Sequence, residues 1–191
     1  MFRIYVELGL DHIADFQGYD HILFVTMLCV VYTFKEWKKV LILVTAFTIG
    51  HSLTLALATL HIIHVPTAWV EFLIPVTIFI TAMGNIVNSK PADNISAKIK
   101  YVLALSFGLI HGLGFSNYLR SLLGKHDSIA VPLLAFNIGV ELGQILIVLC
   151  ILTLTAIMLH LFKVKQRDWT LVLAGAGAGI ALTLMLERLP L

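Results

Sequence analysis

The sequence predicts an all-α fold, a polytopic membrane helical bundle of about six transmembrane helices. Three observations lead there. Hydrophobic residues make up 59% of the 191-residue chain and charged residues only 13%, and the mean hydropathy is +0.96, a composition outside the range of ordinary soluble domains. The apolar residues gather in runs of about 20, the length a helix needs to cross a bilayer. The basic residues fall in alternate connections between those runs, as the positive-inside rule requires.

In chain order the expected helices are 17–35, 39–61, 67–88, 101–122, 130–161 and 169–187, preceded by a short outer segment, 1–16, within one integral membrane domain, 1–191. The fifth run is long enough to tilt or to extend past the bilayer. Lys35, Lys38 and Lys39 join the first two helices, Lys90, Lys98 and Lys100 the third and fourth, and Lys163, Lys165 and Arg167 the last two. These connections are expected to be cytoplasmic, with both termini and the loops at His64 and Lys125 outside. Trp37, Trp69 and Trp169 fall at helix ends, where interfacial aromatics belong. The polar stretch 90–98, with Pro91 and Asn94 as turn formers, separates two sets of three helices. A multi-pass chain of this kind has the lipid bilayer as its first partner.

The net charge of +2 and the scattered basic residues give no nucleic-acid surface. Cys29 and Cys150 lie singly in apolar runs, so they form no CxxC metal pair. Asp11, Asp15 and Asp20 before the first run break the pattern of a signal peptide. The Gly175, Gly177 and Gly179 run lacks the strand a phosphate loop needs, so helix packing is its expected role. His61, His64, His126 and His160 lie at or near helix ends and are expected to be interfacial.

Ionisable residues deep in apolar runs are costly and mark sites by default. At about 1.5 Å per residue, His51 lies about 18 Å from Lys39, His111 about 17 Å from Lys100 and Glu141 about 15 Å past Val131, all near the middle of a core about 30 Å thick. Asp20, His21 and Glu71 fall in the first turns of helices entered from outside, so the polar residues trace a path inward. Gly50, Gly108, Gly112, Gly139 and Gly143 flank the deep set and permit close helix approach. Asn137, four residues before Glu141, lies on its face and is positioned to hold the carboxylate or add an oxygen ligand. Pro75 lacks the N–H that would bond the Glu71 carbonyl. Ser52, about 100° around the helix from His51, makes a poor nucleophile and is expected to bond the helix backbone.

Four segments, Gly18-Tyr-Asp-His-Ile-Leu-Phe24, Phe47-Thr-Ile-Gly-His-Ser-Leu-Thr-Leu55, Phe107-Gly-Leu-Ile-His-Gly-Leu-Gly-Phe115 and Phe136-Asn-Ile-Gly-Val-Glu-Leu-Gly-Gln144, resemble the HupE/UreJ family of small bacterial membrane proteins associated with hydrogenase and urease systems. The resemblance implies a nickel or cobalt permease in which Asp20, His21, His51, Glu71, His111 and Glu141 handle the cation. It also implies a metallochaperone or nickel-enzyme maturation protein as recipient. The family commonly places a His shortly before its Asp-His pair; here His12 is the nearest, across a longer spacer. Imidazole and carboxylate together suit borderline cations, zinc and copper included, better than magnesium or calcium. The competing expectation is an intramembrane zinc metalloenzyme, with His21, His51 and His111 as ligands and a carboxylate activating metal-bound water against a lipid or lipoprotein substrate.

Overall fold

The computed structural model of the chain describes residues 2–88, 97–123 and 129–190. Among these, eight α-helices and no strand occur: α1 (Phe2–Ala14), α2 (Asp20–Cys29), α3 (Trp37–Thr59), α4 (Thr67–Val87), α5 (Ala97–Gly114), α6 (Ser116–Leu123), α7 (Ala130–His160) and α8 (Gln166–Glu187). The linker residues Lys90, Pro91 and Asn94, with Lys125 and His126, lie outside the described residues. Among the described residues, four helices are long and apolar enough to cross a membrane: α3 with the turn before it, α4, α7 and α8.

The expected helices 17–35 and 101–122 are each interrupted. Helix α2 has only ten residues. Before it, the Asp15 carboxylate accepts from the Gln17 N–H at 2.8 Å, an Asx-type turn that competes with helix. After it, Thr33 and Glu36 form a reciprocal capping box around the 3-10 turn Phe34–Glu36, which opens a new helical segment. The other interruption falls at Phe115, after Gly112 and Gly114, both poor helix formers, where the Ser116 hydroxyl donates back to the Leu113 carbonyl at 2.9 Å. Residues 2–14, expected as part of an outer segment, are a helix packed along α7.

Glycine sets two helix seams. A Cβ on Gly50 would strike the Leu105 carbonyl, one on Gly108 the Phe47 carbonyl, and one on Gly112 the His51 carbonyl, so α3 and α5 touch backbone to backbone. From Gly108 to Gly112 the partner moves from Phe47 to His51, so the two helices run parallel. Likewise Gly9 lies against the Phe136 carbonyl, Gly139 against that of Val6, and Gly143 against the Ile13 side chain, which makes α1 parallel to α7. A third seam joins α4 to α8. In the glycine run of α8, Gly177 meets the Met27 thioether, whereas Gly175 and Gly179 have no atom within 4 Å of a built Cβ.

Side chains follow from these seams. Phe24, Phe47 and Phe136 are fully buried, while Leu134, Ile138, Leu142, Leu146 and Leu149 form an exposed apolar stripe on α7. Such a stripe faces lipid in a membrane bundle. Trp169 is buried, and its indole N–H donates to Thr155 at 3.1 Å, so it ties α8 to α7 rather than anchoring an interface. His61 takes a left-handed backbone at the end of α3, φ 60°. The Ile62 N–H bonds the Leu57 carbonyl at 2.9 Å and the His61 N–H that of Ala58 at 3.1 Å, a closing motif that satisfies the last carbonyls of the helix.

Candidate metal centre

Four histidines from four helices converge. His12 comes from the last turn of α1, His21 from the first turn of α2, His51 from the middle of α3 and His111 from the last turn of α5. His12, His21 and His51 each offer a ring nitrogen within 4.8 Å of the other two. His111 packs beside them, its ring centroid 5.3 Å from that of His21. The α3–α5 glycine seam holds His51 and His111 on adjoining backbones, and the α1–α7 seam brings His12 to them.

The walls are aromatic. Phe115 lies 4.0 Å and Phe136 5.6 Å from the His12 ring, and Phe24 and Phe47 lie 4.9 Å and 5.1 Å from that of His111. Polar partners are correspondingly few. His21 Nδ1 lies 3.0 Å from Asp20 Oδ1, an oxygen that also accepts from the His21 backbone N–H at 2.9 Å. Arg188 reaches back from the end of α8 to Asp20 Oδ2 at 3.2 Å. Asp20 thus holds the proton of His21 on Nδ1 and leaves Nε2 as the bare nitrogen, the arrangement that orients metal-binding imidazoles. The Thr77 hydroxyl donates to the Ile74 carbonyl at 2.7 Å and lies 3.0 Å from His111 Nε2. Having spent its hydrogen, it accepts from Nε2–H, which leaves a lone pair on Nδ1.

Among the described residues, five buried ring nitrogens have no hydrogen-bond partner: His12 Nε2, His21 Nε2, both nitrogens of His51, and His111 Nδ1. Buried polar atoms are almost always paired, so an unpaired group of this size demands an explanation. A cation supplies one. Metal–nitrogen bonds of about 2.1 Å require the three nearest nitrogens to draw together by less than about an ångström each. An open cavity of about 560 Å³, lined in part by Asp11, His12, Asp15, Gln17 and Tyr118, reaches the cluster at His12.

The remaining sequence-derived candidates lie elsewhere. Glu141 is half-buried and accepts from the Thr45 hydroxyl at 2.6 Å across the α3–α7 contact. It follows Phe136 by five residues, about 140° around the helix, so its side chain leaves the face that meets the histidines. Asn137 has a buried Oδ1 without a partner. Glu71 is exposed near the start of α4. Ser52 donates to the Thr48 carbonyl at 2.6 Å, a helix-backbone bond.

This geometry defines a class: a helical membrane protein with a buried histidine cluster of metal-ligating spacing. The family model for the HupE / UreJ protein matches residues 1–188, and the chain belongs to that family. The family suggests a metal-transport role. Comparison with curated proteins and with solved structures gave no match.

Proposed function

We propose that the protein moves nickel or cobalt across the bacterial inner membrane, with His12, His21 and His51 as ligands in the bundle and His111 as the adjoining site. The observation that carries this reading is the set of unpartnered ring nitrogens, three of them within 4.8 Å of one another. Asp11 and Asp15 at the open cavity attract the cation, His12 receives it first, and Asp20 acts through His21 as an orienting group. Proton binding to the imidazoles competes with metal and favours release, because only the neutral ring is a ligand.

Glu141 fits a group beside the pathway better than a ligand, because it accepts from the Thr45 hydroxyl on another face of α7. Glu71, exposed on α4, fits a surface role. The adjoining carboxylate Asp20 is already engaged by His21 and Arg188, which disfavours a zinc enzyme with that group as base. The basic connections face the cytoplasm and both termini face outward. A metallochaperone or nickel-enzyme maturation protein takes the ion from the cytoplasmic side.

The test is elemental analysis of purified protein combined with flux into proteoliposomes for nickel, cobalt, zinc and copper. The expected result is bound metal that His51→Ala removes, with nickel or cobalt flux that the same change abolishes. Folded wild-type protein that passes none of the four ions would sink the transport reading.

A further inference from the structure

Gly84 lies inside α4, where glycine weakens a helix, yet a Cβ built on it meets no atom within 4 Å, so close helix approach does not account for it. The space it leaves belongs to a cavity of about 120 Å³ between α2, α4 and α5. An apolar cavity of about 150 Å³ takes up benzene, so a short hydrocarbon segment fits here. The cavity is graded along its length. Met27, Leu28, Ile80, Leu103, Ala104 and Phe107 line its apolar depth, whereas Asn85, Asn88 and Lys100 stand at the other end, at the end of α4 and the start of α5. From Lys100 to Phe107 is about 10 Å along the helix, roughly two-thirds of the depth of one leaflet. Ile80 and Leu103 are also exposed, so the cavity opens sideways, where lipid lies.

The polar end offers donors and positive charge. The Asn85 amide gives one N–H to the Met27 carbonyl at 2.7 Å and the Asn88 amide gives one to that of Gly84 at 3.0 Å, and each NH₂ carries a second. The Lys100 ammonium stands over the Tyr32 ring at 5.4 Å, and among the described residues no carboxylate lines the cavity. Glu36, on the turn after Tyr32, is already engaged by Lys39 at 3.2 Å and by the Thr33 N–H. The parallel register that sets Gly108 against Phe47 brings the starts of α3 and α5 to one end of the bundle, so Lys35, Lys38, Lys39 and Lys98 share this end. We propose that the cavity binds one anionic phospholipid of the leaflet on that side, with an acyl chain in the space beside Gly84 and the phosphate on Lys100 and the second amide N–H groups of Asn85 and Asn88. A basic pocket between membrane helices suits an anionic headgroup. Free phosphate would leave the apolar depth unfilled, and a chain without a charged head would leave the donors unused. The site is separate from the histidines and stands whether or not a cation moves.

Native mass spectrometry of the full-length protein tests this, with phosphatidylglycerol or phosphatidylcholine of equal chain length added in detergent. Wild type is expected to retain one phosphatidylglycerol per chain, held about fivefold more tightly than phosphatidylcholine, the preference that one lysine near the surface supplies. Gly84→Leu fills the cavity from a Cβ that meets nothing and should weaken retention of both lipids at least tenfold. Lys100→Gln should keep phosphatidylcholine binding and erase the preference, whereas Lys98→Gln, at an exposed position two residues away, should leave the preference intact. Should Gly84→Leu not fold, the two lysine variants decide. Undiminished retention by folded Gly84→Leu, equal losses in both lysine variants, equal binding of the two lipids by wild type, or retention of neither would each overturn the site. The readout is lipid mass, so its failure leaves the metal reading untouched.

Discussion

A buried imidazole without hydrogen-bond partners is an unstable arrangement unless something arrives to use its lone pair, and both ring nitrogens of His51 are in that condition. Replacing it with alanine therefore removes a ligand rather than a structural hydrogen bond. His51→Ala is expected to lose most bound metal and remain folded, whereas His160→Ala, at the exposed end of α7, changes neither; equal metal content in all three proteins would contradict the assignment. Asp20→Asn probes the orienting role separately. It keeps the side-chain size but removes the charge that fixes the His21 tautomer and pairs with Arg188, so metal affinity should fall about 10- to 100-fold without loss of stoichiometry at saturation. Competition titration against a chelator reads the difference. Depth in an apolar run singled out His51 and His111 in the sequence, and a first-turn place beside Asp20 singled out His21. Depth singled out Glu141 as well, which the structure places against Thr45, because depth says nothing of direction around the helix. His12 was harder to place because its helix is only 13 residues long and carries Asp11, which breaks the apolar run.

At the scale of the helix, glycine rather than hydrogen bonding decides which backbones meet. A methyl group on Gly108 meets the Phe47 carbonyl, and backbone cannot swing aside as a flexible side chain would. Gly108→Ala is expected to destabilise by about 1–3 kcal/mol and to displace His111 from His51, lowering metal affinity as well. Gly179→Ala, with no atom within 4 Å, is the matched control and should gain slightly from helix propensity. Thermal unfolding in detergent, with and without nickel, separates the two; identical behaviour would remove the seam from the explanation of the site. The glycine positions were visible in the sequence as close-approach residues. Their partners were not, since Gly139 and Gly143 flank Glu141 in the chain yet serve α1 in space. The Thr33–Glu36 capping box was also written in the sequence, but the apolar Val30, Val31 and Tyr32 before it hid the end of α2 at Cys29.

For the whole molecule, alternating basic connections predict sidedness. With Lys98→Cys in the first turn of α5 and Gln17→Cys at the open cavity, an impermeant maleimide added outside intact cells should label only the second. Labelling of the first from outside would invert the topology and the direction of the path. The glycine seams carry a mechanical consequence. His51 and His111 ride on one welded pair of helices, His12 on another, and His21 on a short segment between them. A bound ion is therefore a clasp that fastens separate bodies, and its departure unfastens them. Ligand at about 100 times its dissociation constant adds about 2.7 kcal/mol to stability by linkage. That gain should be concentrated where the clasp closes. Nickel should slow amide hydrogen exchange in the last turn of α1 and the first turn of α2 far more than inside the α3–α5 weld. Uniform slowing across the chain would mean that the bundle moves as one block and that the cargo does not hold its parts together.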